Sequence, residues 1–300
     1  WKWSHLIAKV CTEDQKKRFL TPFLEDDTYV LGKGMTEHNG GSDNRLPPNE
    51  DPKTGLRISG VREGDTWILN GEKAFIANGS VGKLFFLDVR TNPTAPLKEG
   101  VTLFLVPGDT PGFTRGKTFN KSGWRFYQNA ELIFENARVP HANVIGEVNG
   151  AYKRTTGDNS GDLFGDLELA ANALGVCDAA CEQALELVRT RKQGGQAIKH
   201  QQLIELKINR MQILTEALRS YVMRVAWEYD AQVHTPNAGL VMNYSTDVIQ
   251  EVSELNLDIH DAAGCELDEQ ADKLVRDSFI WSHLAGDTVQ RLRPTRKIIK

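Results

Sequence analysis

Trp67-Ile68-Leu69-Asn70-Gly71-Glu72-Lys73-Ala74-Phe75-Ile76-Ala77-Asn78-Gly79 reads as β structure. Its apolar and aromatic residues flank an Asn-Gly pair, which predicts a β-hairpin turn followed by an aromatic-containing strand. Similar short runs follow: Leu84-Phe85-Phe86-Leu87-Asp88-Val89, then Val101-Thr102-Leu103-Phe104-Leu105-Val106, then Leu132-Ile133-Phe134, separated by Gly, Pro, Asn and Asp. From about Tyr29 to Ile145 the chain is therefore expected to form an antiparallel β-sandwich or barrel. On both sides the period changes. Residues 5–25 have helix-compatible spacing, with Thr12 and Gln15 placed as a capping box. After Gly150, the stretches Leu163 to Gly195, Ile198 to Tyr229, Ala238 to Ile259 and Asp272 to Ile299 carry apolar residues at helical intervals, as an up-and-down bundle does.

Composition narrows the function classes. The 300 residues hold 36 Lys+Arg against 40 Asp+Glu, a net charge of −4 without a long run of one sign. A protein that tracks nucleic-acid phosphates is not expected from such a balance. The apolar runs fall well short of a membrane span. Four cysteines lack the spacing of a zinc finger or ribbon and read as reduced thiols, and the seven histidines form no metal-ligand pattern. Trp1-Lys2-Trp3-Ser4-His5 has neither the cationic nor the apolar region of a secretion signal. A cytoplasmic location is expected, with a mitochondrial matrix form as the alternative.

The chemistry-bearing stretch is Gly34-Met35-Thr36-Glu37-His38-Asn39-Gly40-Gly41-Ser42-Asp43. Glycines let a backbone approach a planar ligand closely, and the Thr36 and Ser42 hydroxyls can bond ring heteroatoms or a carbonyl. This loop precedes Asn70-Gly71-Glu72-Lys73 and Phe75 to Asn78. Phe134-Glu135-Asn136-Ala137-Arg138-Val139-Pro140 and Val144-Ile145-Gly146-Glu147 come later, then Arg191-Lys192-Gln193-Gly194-Gly195 with His200-Gln201. In this order and at these separations the sequence resembles the acyl-CoA dehydrogenase family, flavoenzymes that remove two hydrogens from the α and β carbons of an acyl-CoA thioester.

The resemblance implies an α+β multidomain fold. Residues 1–28 would be the end of an N-terminal helical domain otherwise lying outside this sequence, 29–147 the middle β-domain and 148–300 the C-terminal four-helix bundle. It implies FAD as cofactor, with Met35, Thr36, Gly41 and Ser42 in the flavin-facing loop and Ser42 near the substrate carbonyl. Phe75 and Ala77 stand in place of the family's usual tryptophan and threonine against the isoalloxazine. Arg191 and Gln201 lie in the segment that reaches a neighbouring subunit's cofactor. Expected partners are an acyl-CoA substrate, an acceptor of the electron-transfer flavoprotein type, and further copies in a homodimer or homotetramer, or a related subunit in a heteromer.

Two departures stand out. The family's catalytic glutamate position near the C-terminus falls on Leu284 or Ala285, and its alternative position, on the first bundle helix, falls on Gly165. Candidate bases are then Asp166, if its helix presents it inward, and Asp287, with His283 suited to a different reaction. Where relatives carry a glutamine and a glycine pair for the FAD pyrophosphate, this chain has Asp258-Ile259-His260-Asp261-Ala262-Ala263-Gly264-Cys265, and its acidic residues would repel a phosphate. Beside the dehydrogenase reading stand two others: a non-catalytic or half-site subunit of a heteromer, and a flavin monooxygenase or oxidase on the same fold.

Overall fold

The computed structural model describes residues 2–42, 51–52, 54–152, 160–233, 235–267, 270–283, 292, 294, 295, 298 and 299. By contacts the chain divides into two compact units. Unit 1 comprises residues 1–121 and 125–159, and unit 2 comprises 122–124 and 160–300.

Unit 1 opens with α1 (Lys2–Val10), α2 (Glu13–Gln15), a π-helical turn at Lys16–Leu20 and α3 (Thr21–Glu25). The Thr12–Gln15 capping box is present: the Gln15 amide donates to Thr12 Oγ1 at 3.2 Å and the Thr12 amide to Gln15 Oε1 at 3.1 Å. Seven strands follow: β1 (Leu31–Gly34), β2 (Ser59–Glu63), β3 (Thr66–Ala77), β4 (Leu84–Arg90), β5 (Val101–Pro107), β6 (Phe113–Thr118) and β7 (Asn129–Pro140), with a short α4 (Leu97–Gly100) before β5. They join one sheet in the order β1-β4-β2-β3-β7-β6, with β5 on β4. Most pairings are antiparallel, as expected, but β1 runs parallel to β4, Leu31 opposite Leu84.

The continuous apolar runs of β4 and β5 have a simple cause. Successive side chains of a strand point to opposite faces, and here both faces are covered. Leu84 and Phe86 of β4, with Leu103 and Leu105 of β5, join a core shared with Ile7 and Phe19 of the N-terminal helices. Phe85, Leu87, Phe104 and Val106 join a second core with Trp67 and Leu69 of β3 and Leu132 and Phe134 of β7. Each such buried side chain contributes about 1.5–3 kcal/mol relative to exposure.

The hairpin turn expected at Asn70-Gly71 is not one. β3 passes straight through it, paired along its length with β7, and the register shifts between Leu69 and Gly71. Gly71 takes φ +130°, and a Cβ there would lie 2.9 Å from the Ile58 Cα. Asn70 serves the bulge by accepting from the Asn136 amide at 2.8 Å. The turn lies earlier, between Glu63 and Thr66, where β2 and β3 pair antiparallel around Gly64 at φ +61°.

Unit 2 contains α5 (Ser160–Thr190), α6 (Gln202–Asp230), α7 (Asn237–His260) and α8 (Gln270–Trp281). Their shared core includes Ala173, Cys177, Met211, Leu218, Val248 and Val252. The first helix stops before the expected Gly195. Arg191 leaves it and a small hairpin, β8 (Lys192–Gln193) and β9 (Gln196–Ala197), turns on Gly194 and Gly195, both at positive φ. Ser122–Trp124, drawn from between β6 and β7, packs on α8. The Trp124 amide donates to Asp277 at 2.6 Å, Arg276 donates to the Ser122 carbonyl at 2.9 Å, and the Trp124 and Trp281 rings meet edge to face at 4.8 Å. The Arg276-Asp277 pair is thus structural. Cys177 and Cys181 are buried in the bundle without a disulfide, and burial pushes the Cys177 thiol up to about 12.

Candidate functional site

The loop after β1 is fixed from beneath. The Glu37 and Gly40 backbones exchange hydrogen bonds of 2.8 and 3.3 Å across His38 and Asn39, and the Thr36 carbonyl accepts from the Ala74 amide of β3 at 2.9 Å. Glu37 is buried, and its carboxylate accepts from the backbone amides of Arg57 at 2.7 Å and Ile58 at 3.2 Å. It also pairs at 2.9 Å with Lys73, a wholly buried side chain that donates to the Met35 carbonyl at 3.0 Å as well. Burial pushes the Lys73 ammonium down to about 8, against the attraction of Glu37 and Asp88. Met35, Thr36 and Gly41 are half-buried along this loop, and Ser42 is exposed at its end.

Opposite the loop, β3 bulges a second time, between Lys73 and Ile76. Phe75 sits in that bulge at φ +58° with half its surface exposed. A bulky side chain in left-handed backbone costs about 1–3 kcal/mol and persists where its surroundings over-determine it. The surroundings here are the Asn129 amide group donating to the Phe75 carbonyl at 2.8 Å, the Phe119 ring stacked at 4.3 Å, and the His38 ring edge-on at 6.1 Å. His38 is itself held by Glu131 at 3.1 Å. Ala77 closes β3, where its carbonyl lies 3.1 Å from where a Gly32 Cβ would stand. Beside Phe119 opens a cavity of about 220 Å³ lined by Thr118, Phe119, Asn120, Lys121, Arg125 and Gln128.

Unit 1 therefore gathers Met35, Thr36, Gly41 and Phe75 around one loop and one bulge. These residues fit a flavin on two observations. A half-exposed aromatic ring is presented by a backbone in the left-handed region. Among the described residues, a Cβ at Gly41 would meet nothing nearer than Thr36 Cγ2 at 3.6 Å. His38, Phe119 and Glu131 were not singled out from sequence. Each lies far along the chain from the bulge it supports: the registers of β3 with β7 and of β7 with β6 bring Glu131 and Phe119 there, and the loop after β1, tied to β3 at Ala74, brings His38.

In unit 2, Gly165 and Asp166 are both buried on α5, Asp166 with 8% of its surface exposed. Arg191 turns inward on its own unit, donating to the His260 carbonyl at 3.1 Å and meeting Asp261 at 3.4 Å. The acidic loop is thus partly neutralised by the cation expected to meet a phosphate. Asp261 is exposed and Arg191 partly so, which keeps the ion pair itself weak. Gln201 is half-buried and precedes α6 without a side-chain capping bond. His283 is exposed in the turn after α8. Leu284, Ala285 and Asp287 lie outside the described residues.

Known proteins agree with this architecture. Residues 32–137 match the family model for the acyl-CoA dehydrogenase middle domain, and residues 165–296 the model for the acyl-CoA dehydrogenase C-terminal domain. The short-chain specific acyl-CoA dehydrogenase of Megasphaera elsdenii is 30% identical over 95% of this chain and 71% of its own length. The mitochondrial isobutyryl-CoA dehydrogenase of Dictyostelium discoideum is 30% identical over 98% of this chain and 68% of its own. Among solved structures, a chain from the electron transferring flavoprotein of Acidaminococcus fermentans superposes with a TM-score of 0.87 at 27% identity, covering 99% of this chain and 75% of that one. With two family domains in order, 30% identity across nearly its whole length, and the sheet and bundle those domains require, this chain belongs to the acyl-CoA dehydrogenase family.

Proposed function

We propose that the chain oxidises an acyl-CoA thioester at its α,β carbon–carbon bond with FAD as cofactor, and that Asp166 is the base. Family membership makes it a flavin-dependent oxidoreductase acting on CH–CH bonds. The observation that carries the finer reading is the preformed receptor on unit 1, a pinned loop faced by a half-exposed ring in left-handed backbone. Met35, Thr36, Gly41, Ser42, Phe75 and Ala77 would hold the flavin there, with Arg191 and Gln201 of another copy reaching its phosphates.

When bound, FAD supplies the acceptor for the hydride that leaves the β carbon. The chain's own groups do the rest. Asp166, withdrawn from water on α5, takes the α-proton onto a carboxylate oxygen. The exposed Ser42 hydroxyl donates to the thioester carbonyl, drawing electron density away from the α carbon and easing loss of that proton. Asp287 is kept as the second candidate for the base.

An electron-transfer flavoprotein as acceptor and assembly into a homodimer or homotetramer complete the proposal. No helix among the described residues is long and apolar enough to cross a membrane. Bacterial cytoplasm and mitochondrial matrix both suit the proposal, since relatives of both origins are as similar as each other. The half-site and monooxygenase readings gain nothing from the curated relatives, which are named as dehydrogenases.

The test is an anaerobic visible spectrum of the flavin-loaded chain, purified without a partner, during addition of straight-chain and branched acyl-CoAs. Bleaching of the flavin band by one of them is the expected result. A band unchanged by every thioester overturns the dehydrogenase reading.

A further inference from the structure

Burying a lysine ammonium is expensive even when it is paired, and an apolar side chain of similar volume in a β-core often does as well or better for stability alone. Lys73 nevertheless has no exposed surface. Its ammonium donates to the loop after β1: to the Met35 carbonyl at 3.0 Å, where the loop begins, and to Glu37 at 2.9 Å, within it. Through Glu37 the same point takes the amides of Arg57 and Ile58, which lead into β2. Three separate stretches of backbone meet at one buried charge pair, and the ladder bonds of β3 with β7 are made without it.

We propose that Lys73 and Glu37 are positioning residues for FAD: the pair holds Met35 to Ser42 in the shape that receives the flavin, and the proton on Lys73 governs how firmly. This rests on the reading that the loop faces FAD. The charged groups around Lys73 are Glu37 in the loop, Asp88 of β4 and Lys33 of β1, and Lys33 is itself paired with Asp88 at 2.5 Å. Desolvation lowers Lys73 to about 8. Above that pH the amine is neutral, Glu37 keeps its charge with only two backbone amides to meet it, and the loop is free to sample other shapes. Apparent affinity then falls in proportion to the fraction of chains holding the competent loop.

The experiment strips the full chain of flavin and titrates it with FAD between pH 7 and pH 9, reading flavin fluorescence. Three proteins are compared: the natural chain, the double variant Lys73→Met with Glu37→Gln, and Gly41→Val. The natural chain is expected to bind about tenfold more weakly at pH 9 than at pH 7. The double variant, which removes both charges together, is expected to bind more weakly at pH 7 with no dependence on pH. A natural chain whose affinity is flat across this range overturns the proposal, whether or not the double variant folds. So does a folded double variant that keeps the natural pH dependence. Gly41→Val separates the two claims: unchanged affinity there overturns the loop reading itself, whereas weakened affinity with a flat natural profile overturns only the role of the pair.

Discussion

Asp166 and Gly71 carry opposite kinds of constraint, one chemical and one geometric. As the base proposed above, Asp166 must lose its function when its charge is removed at constant shape. Asp166→Asn is expected to slow anaerobic flavin bleaching by at least about 100-fold while leaving flavin content unchanged, and normal bleaching would take Asp166 out of the mechanism. Gly71 has no chemistry to lose. Its φ of +130° and the 2.9 Å approach to the Ile58 backbone leave no place for a methyl group. Gly71→Ala should therefore cost about 1–3 kcal/mol, read as a lower urea midpoint with an unchanged slope. The sequence reading made Asn70-Gly71 a hairpin turn, but a glycine that takes positive φ serves a turn and a bulge equally well, and here Gly71 serves a bulge. The partner that chooses between them is β7, about sixty residues further on.

At the scale of elements, the bundle helices were readable because one covered face imposes a period, and β4 and β5 because two covered faces make each a continuous apolar run. The capping box before α2 was readable from residue type and spacing alone. The parallel register of β1 on β4 was not readable, because pairing direction depends on how the chain returns and not on either segment's residues. The same limit hid the Glu37–Lys73 pair, since a charged residue in a loop and one in a strand 36 positions on show no sign in sequence that the fold buries them together.

The α6–α7 connection offers an element-scale test. Glu228, buried near the end of α6, accepts from Asn237 at 2.8 and 2.9 Å, Thr235 at 2.8 Å and Arg224 at 3.0 Å. Burial alone would push its carboxyl up, but these donors outweigh burial and hold it below its ordinary value. A carboxyl lowered by folding stabilises the fold above the ordinary range and loses that contribution as pH falls through the lowered value. Glu228→Gln is expected to lose about 1–3 kcal/mol at neutral pH. Chemical denaturation of both proteins from pH 7 down to pH 3 should show the gap closing at the acid end, and a constant gap would refute the assignment.

For the whole molecule, the exposed apolar residues of α6 matter most. Leu206, Ile213 and Trp227 recur at heptad intervals, with Leu203 and Met223 beside them, and all five are largely exposed in the single chain. A stripe of this kind marks an association surface. Ile213→Lys combined with Trp227→Glu should shift the protein to a smaller species in light scattering coupled to gel filtration, with helix content unchanged. An unaltered mass would place the subunit contact elsewhere. At this scale the sequence showed the order of domains and the family plainly. It did not show Arg191 engaged with Asp261, a contact between residues 70 positions apart that depends on where α5 and α7 end.

Ser122–Trp124 gives the chain a timetable. During synthesis these residues leave the ribosome well before the helix that receives them, since the Trp124 amide finds Asp277 only 153 residues later. At roughly 5–20 residues per second, β7 can close the sheet while Trp124 waits about 8–30 s for Trp281. For that interval a nascent chain with an almost finished β-unit carries an unburied tryptophan, a natural landing place for a chaperone, until α8 has been made.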